Sequence, residues 1–196
     1  MILKQVATQI MRLFLALALG NIIGLATFAF FAIVSYALKV WELEITADFV
    51  SFSEVSYSLT LGAFMLCGSL VAGFIYSRLE GPRSHGPADL MVCIKKDELP
   101  DIKAGFITSI LTMVSVSSGS SVGMFGPIIH YGGCIAASLE RFFKVLTRGV
   151  VLAAGGAAGI AALFSAPIAA SIFAHEMLLR RFRSTESLPV IMAALG

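Results

Sequence analysis

Charged side chains are scarce in this sequence. Lys, Arg, Asp and Glu together make up 13% of its 196 residues, whereas a soluble globular domain carries about a quarter. The 14 basic and 12 acidic residues leave a net charge of +2, and no basic face interleaved with aromatic residues is present. These shortages exclude an ordinary soluble domain and argue against a nucleic-acid partner.

Cysteines and catalytic motifs are also few. The three cysteines are scattered in or beside apolar segments, and an odd count without metal-ligand spacing argues against a disulfide framework or a zinc site. No H-E-x-x-H motif, no G-x-x-x-x-G-K phosphate loop and no credible Ser/His/Asp arrangement occurs. We therefore expect no enzyme activity, no cofactor and no metal.

Long apolar runs are abundant. Hydrophobic residues make up 58% of the chain and the mean hydropathy is +0.90, which predicts an all-α, multi-pass membrane protein. After a lead-in over 1–12, membrane spans are predicted over 13–38 and 55–77, because about 20 apolar residues cross a bilayer. Residues 188–196 are apolar but too short to cross, so we read them as the start of a truncated span.

Two further apolar regions, 104–139 and 149–178, each contain a break and predict broken helices that enter the membrane and return. The first break lies in the Gly/Ser-rich stretch Ser117–Gly133, and the second lies at Ser165-Ala166-Pro167. Discontinuous helices of this kind surround ion sites near the middle of the bilayer. The two regions are therefore the candidates for a transport pathway.

The first break has the features of an anion site. Pro127 suits the first turn of a helix, where its missing N–H would have no partner. The N–H groups of Gly123–Gly126 would then point past the helix start into the membrane interior. A helix start with free N–H groups attracts anions, so this stretch predicts backbone coordination of an anion.

The distribution of basic residues predicts the orientation. Lys and Arg gather at the N-terminus, at 78–103, at 141–148 and at 180–183, whereas the 39–54 loop is acidic. The positive-inside rule places the four basic regions, including the N-terminus, in the cytoplasm, and the acidic loop outside. We expect a plasma or inner membrane location.

Gly20 and Gly24 form a small-xxx-small pair within the first predicted span. Such a pair lets another helix approach closely. We interpret it as tight packing inside the protein rather than as a dimer motif.

Three segments resemble the CLC family of chloride channels and chloride/proton antiporters. GSSVGMFGPIIHYGG at 119–133 resembles the family's G-S-x-G-R-E-G-P…Q-x-G segment. GGAAGIAALFSAPIAASIFAHE at 155–176 resembles G-A-A-A-G-I-A-A-x-F-N-A-P-x-A-G-x-x-F-x-x-E, and SHGPA at 84–88 resembles the G-S-G-I-P loop. The resemblance covers nearly the whole chain, but only the first of the family's two inverted halves. It implies chloride transport by a homodimer, with a C-terminal half needed for a complete pore.

The resemblance also implies the site. The serine of the family's G-S-G-I-P loop falls at His85. In the G-S-x-G-R-E-G-P segment, the arginine falls at Met124 and the glutamate, which is the family's gate, falls at Phe125. Of the inner glutamate pair, the first falls at Glu176 and the second at Met177. Both proton-handling positions are therefore apolar, which favours passive conduction over proton-coupled exchange. The anion-binding residues implied are Ser84, His85, Gly86, Gly123, Met124, Phe125 and Gly126.

Several alternatives stay open at this point. Phe125 would be either a hydrophobic plug that closes the path by dewetting or a ring packed on neighbouring helices. His175 and Glu176 would be either a functional ionisable pair inside the membrane or a hydrated pair near Arg180. His130, at the family's glutamine position, is interpreted as structural.

Two functions follow from these alternatives. The chain is either a subunit or fragment of a voltage-gated-type chloride channel without proton coupling, or a non-conducting membrane scaffold that keeps the CLC fold. A proton antiporter that uses Glu176 and His175 is a more distant third. A lipid bilayer is the expected surrounding in each case.

Overall fold

The computed structural model describes residues 2–49, 54–78, 86–180 and 184–196. Every regular element in these ranges is helical, so the predicted all-α fold class is confirmed. A 3-10 turn, Glu140–Phe142, follows the fifth helix, and a π-helical turn, Ala174–Leu179, follows the seventh. The α-helices in chain order are α1 (Ile2–Phe49), α2 (Glu54–Ser77), α3 (Pro87–Lys96), α4 (Ile102–Ser117), α5 (Phe125–Leu139), α6 (Arg148–Phe164), α7 (Pro167–Phe173) and α8 (Ser184–Leu195).

Helix α1 runs for 48 residues and extends past both ends of the predicted span over 13–38. The lead-in over 1–12 joins it from Ile2 onward, and the acidic segment is helical as far as Phe49. A loop over residues 39–49 was therefore a wrong prediction. Neither flanking segment contains Gly or Pro, so nothing in the local sequence stops the helix.

One helix among the described residues is long and apolar enough to cross a membrane by length and composition. It is the part of α1 from Gln5 to Lys39, where the most apolar window has a mean hydropathy of 2.2. Shorter apolar helical stretches of 10–17 residues are found in the described part of the chain, including Gly62–Ser77 within α2 and Ile102–Ser117, which is α4. The helical segments on either side of both breaks are therefore too short to cross a bilayer in a straight line.

Helix α6 forms the centre of the fold. Every residue from Gly149 to Ala161 is buried, and α6 packs against α1, α3, α5, α7 and α8. This stretch consists mainly of alanine and glycine, which leave room for several neighbouring backbones to approach. The composition of α6 is thus the reason that five helices can pack against it.

Glycines mark the closest helix crossings. A Cβ added to Gly132 of α5 would meet the carbonyl oxygen of Gly155 in α6, and one added to Gly155 would meet that of Gly132. A Cβ on Gly20 of α1 would meet the backbone of Ala193 in α8. The interpretation of Gly20 as internal packing is therefore confirmed.

A substitution that adds one methyl group tests how closely α5 and α6 cross. Gly155→Ala is expected to lower the free energy of unfolding by about 1–3 kcal/mol, the usual result of overpacking, because its Cβ would lie 2.5 Å from the Cβ of Ala136. Gly73→Ala in α2 is the matched control, since a Cβ there meets nothing within 4 Å. Thermal unfolding of both variants in the same detergent measures the difference. Equal melting temperatures would contradict the close crossing.

Candidate functional site

The end of α4 is built to break the helix. Gly119 has a φ of +85°; its N–H donates to the carbonyl oxygen of Val116 at 2.9 Å, and the N–H of Ser120 donates to that of Ser115 at 3.2 Å. This is the Schellman arrangement, which needs a residue in the left-handed region. The Gly/Ser-rich stretch therefore ends one helix and redirects the chain toward the next.

Ser118 has a structural role in this break. Its hydroxyl donates to the carbonyl oxygen of Ser115 at 2.8 Å. The side chain also lies against α2, where a Cβ on Gly68 would meet its Cβ and Oγ. Since local bonding of this kind is common for serine in helices, the Ser118 hydroxyl is engaged with the backbone rather than directed at a ligand.

The next helix, α5, begins at Phe125, with Met124 as its N-cap. Its first helical bond runs from the N–H of Ile128 to the carbonyl oxygen of Met124 at 3.1 Å. A helix that begins here leaves the N–H groups of Met124, Phe125 and Gly126 without an intrahelical acceptor. Pro127, in the same turn, has no N–H to leave unpaired. The arrangement concentrates three donors at one point.

The start of α3 lies beside the start of α5. A Cβ on Gly126 would come within 3.5 Å of Cγ of Pro87, the first residue of α3. Added Cβ atoms on Gly86 and on Gly123 would both meet nothing within 4 Å. Two of the predicted anion-binding segments therefore converge, with open space beside their glycines. Ser84 and His85, which the sequence also assigned to this site, lie outside the described residues.

Gly86 differs from the expectation in one respect. Its N–H donates to Oδ2 of Asp89 at 2.9 Å, so this donor is already paired with a carboxylate. The role of Asp89 was not predicted from the sequence, although an acidic residue in the first turn after Gly-Pro is a known signal for a helix start. The free donors of the site are thus concentrated on α5.

Phe125 lies in a cluster of three phenylalanine rings. Its ring centroid is 5.7 Å from that of Phe164, the last residue of α6, and 5.6 Å from that of Phe173, the last residue of α7. The side chain of Phe125 is nevertheless 41% exposed. The ring thus packs on neighbouring helices and also presents an apolar face at the start of α5.

The other ionisable candidates differ in how far they are buried. His175 is buried and Glu176 is exposed, although they are adjacent in the π-helical turn. They therefore do not form one buried pair. His130 is buried in α5, and a Cβ on Gly105 of α4 would come within 2.9 Å of its Nε2. The structure places His130 in a helix contact, the role interpreted for it from the sequence.

Arg148 connects the elements that carry the site, a role that sequence reasoning missed. Its Nε lies 3.3 Å from Oε1 of Glu140 in the turn after α5, and its Nη1 donates to the carbonyl oxygen of Asp97 at 2.7 Å. Asp97 caps the C-terminus of α3 in the left-handed region. One guanidinium group at the start of α6 thus holds the ends of α3 and α5. Spacing along the chain gives no signal for a contact between residues 51 positions apart.

Across the ranges that the structure describes, no group of three or more His, Cys, Asp or Glu side chains could hold a metal ion.

Comparison with known proteins points to one family. A family model described as voltage gated chloride channel matches residues 67–196. Three similar proteins are described as voltage-gated ClC-type chloride channel ClcB. The one from Salmonella dublin is 28% identical over 192 residues, covering 94% of this chain and 45% of its own length. The one from Yersinia pestis is 28% identical over 178 residues, which cover 82% of this chain and 43% of its own length.

The protein from Shigella flexneri is 31% identical over 132 residues, which cover 65% of this chain and 32% of its own length. The chain thus spans about half the length of the curated relatives it matches. The family match includes α3 to α7, which carry the two converging helix starts and the three-ring cluster.

The break before α5 can be tested at Gly119. Gly119→Ala is expected to destabilise the protein by about 1–2 kcal/mol, because a Cβ is unfavourable in the left-handed region. Gly123→Ala is the matched control in the same loop, since its Cβ would meet nothing within 4 Å. Thermal unfolding followed by size-exclusion chromatography compares the two. A Gly119→Ala protein as stable as the control would contradict the Schellman geometry.

Proposed function

The chain belongs to the voltage-gated chloride channel family, and we propose that it forms part of a path through which chloride crosses the membrane passively. The observation that carries this proposal is the start of α5, where three N–H groups lack an intrahelical acceptor and the apolar residue Phe125 stands at the first helical position. Chloride transport is the activity of the family. The proposed absence of proton coupling rests on the residues of this chain.

The proposed anion site is the backbone of Gly123, Met124, Phe125 and Gly126. A helix start carries a partial positive charge, and its unpaired N–H groups can replace part of the hydration shell of an anion. Open space beside Gly86 and Gly123 leaves room for an ion between α3 and α5. Ser84 and His85 would add polar groups from the segment that leads into α3, and Gly86 would line the site.

Proton coupling needs a group that gains and loses a proton at the ion site. Phe125 and Met177 stand at the two positions where the family carries glutamates, and neither side chain can ionise. Glu176 is exposed and His175 is buried, which supports a structural rather than a relay role for this pair. These features favour passive, voltage-gated-type conduction over exchange.

The proposed membrane arrangement follows from the charge pattern. Spans over 13–38 and 55–77 would cross the bilayer, and the broken helices over 104–139 and 149–178 would enter from the cytoplasmic side and return to it. The N-terminus would then be cytoplasmic. We further propose that the complete protein is a homodimer in which a C-terminal half completes each pore.

Flux through the complete gene product in liposomes tests the function. We expect a chloride gradient to drive chloride efflux without moving protons against their own gradient, because no ionisable side chain occupies the gate position. Chloride and proton movements are recorded in parallel with an electrode and a pH dye. Proton pumping at a fixed ratio to chloride would refute passive conduction, and the absence of any flux would favour a non-conducting scaffold.

Restoring an acid at the gate position gives a second test. Phe125→Glu is expected to make the flux rise as the pH falls, because the carboxylate would occupy the anion site and protonation would release it. Phe142→Glu is the control, since Phe142 is exposed in the 3-10 turn, away from the start of α5. The same pH dependence in both variants, or in neither, would contradict the assignment of Phe125.

The orientation has its own test. We expect a short epitope tag at the N-terminus to be accessible to antibody only after the membrane is permeabilised. A tag inserted into 50–53, between α1 and α2, should be accessible in intact cells. Labelling of the N-terminal tag in intact cells would reverse the proposed topology.

A further inference from the structure

We infer that Phe164 and Phe173 are positioning residues that clamp the ring of Phe125 and so set how readily anions pass the start of α5. This inference rests on the proposed function and adds two residues to it. The three rings come from three different places in the chain: the first residue of α5, the last of α6 and the last of α7.

The geometry of the rings is that of attractive aromatic pairs. The Phe125–Phe173 pair is edge-to-face, with an interplanar angle of 78° and a centroid distance of 5.6 Å. The Phe125–Phe164 pair is tilted by 58° at 5.7 Å. Both distances lie within the range in which the ring quadrupoles favour such arrangements. The two contacts therefore fix the ring in direction as well as in position.

The exposure of Phe125 explains why these contacts matter. The ring is 41% exposed and belongs to neither of the two buried core clusters in the described part of the chain. It has no polar atom that could form a hydrogen bond. Its position thus depends on packing alone, and the two neighbouring rings supply its aromatic contacts.

The two clamping rings are not equivalent. Phe173 packs against the main core cluster and is therefore anchored. Phe164 is 55% exposed and stands directly before Ser165, which takes the left-handed conformation that ends α6. Loss of Phe173 should for this reason release the Phe125 ring more than loss of Phe164.

The break at Ser165-Ala166-Pro167 is also needed for the contacts of both rings with Phe125. Helix α7 has only seven residues between Pro167 and Phe173, so the chain turns at Ser165 and brings both clamping rings to the same side of α5. If the helix ran straight through this region, Phe173 would lie about 13 Å from Phe164 along the helix axis, because the two residues are nine positions apart. The break is what allows both rings to touch Phe125.

Chloride flux through the complete gene product in liposomes tests the clamp. Phe173→Leu is expected to raise the flux about fivefold and Phe164→Leu by less, since one aromatic pair shifts a two-state population by roughly that factor. Phe164→Tyr keeps the ring and, being exposed, can place its hydroxyl in solvent, so it should retain the original flux. Phe106→Leu is the matched control: it removes an edge-to-face pair with Tyr131 at 5.6 Å, between α4 and α5, without touching Phe125.

A spectroscopic readout tests the clamp apart from flux. With 4-fluorophenylalanine at position 125, Phe173→Leu is expected to shift and narrow the fluorine resonance because the ring gains freedom, whereas Phe106→Leu leaves it unchanged. An unchanged resonance in both would overturn the clamp.

The possible results distinguish a failure of the clamp from a failure of the proposed chloride path. If Phe125→Ala raises chloride flux while Phe164→Leu and Phe173→Leu do not, the clamp is wrong and the anion path stands. If no variant conducts chloride, including Phe125→Ala, the proposed function fails and the clamp has no role in transport.

Discussion

The contact on which the rest of the structure depends is the approach of α5 and α6, backbone against backbone, at Gly132 and Gly155. A side chain on either glycine would meet the carbonyl oxygen of the other. Since α6 is the buried centre of the fold, this crossing positions α5 relative to every helix around α6. The start of α5, with its unpaired donors, is therefore held by the best-packed part of the chain.

The candidate site is formed mostly by the backbone and not by reactive side chains. A Schellman turn at Gly119 ends α4, and α5 begins six residues later with donors that its own backbone cannot pair. Such a site attracts an anion through fixed dipoles, which do not titrate. In the proposed anion site, a phenylalanine at the first residue of α5 supplies no titratable group at that position and leaves control of access to ring packing.

Several features could be predicted from sequence because they follow from local physics. Low charge and long apolar runs indicate a helical membrane fold. Glycine, serine and proline at 117–127 and 165–167 mark places where a helix must stop, whatever the tertiary environment. The same local reasoning failed for 39–49, where acidic residues suggested a loop, although the segment lacks any residue that ends a helix.

What the sequence determined by itself is where helices begin and end and which backbone groups are left unpaired, because turn chemistry and apolar length act over a few residues. The tertiary structure alone decided which elements meet. It placed Pro87 against Gly126, joined Arg148 to Glu140 and Asp97, and gathered Phe125, Phe164 and Phe173 into one cluster. These contacts depend on how small residues let helices cross around α6, and no periodicity along the chain encodes them.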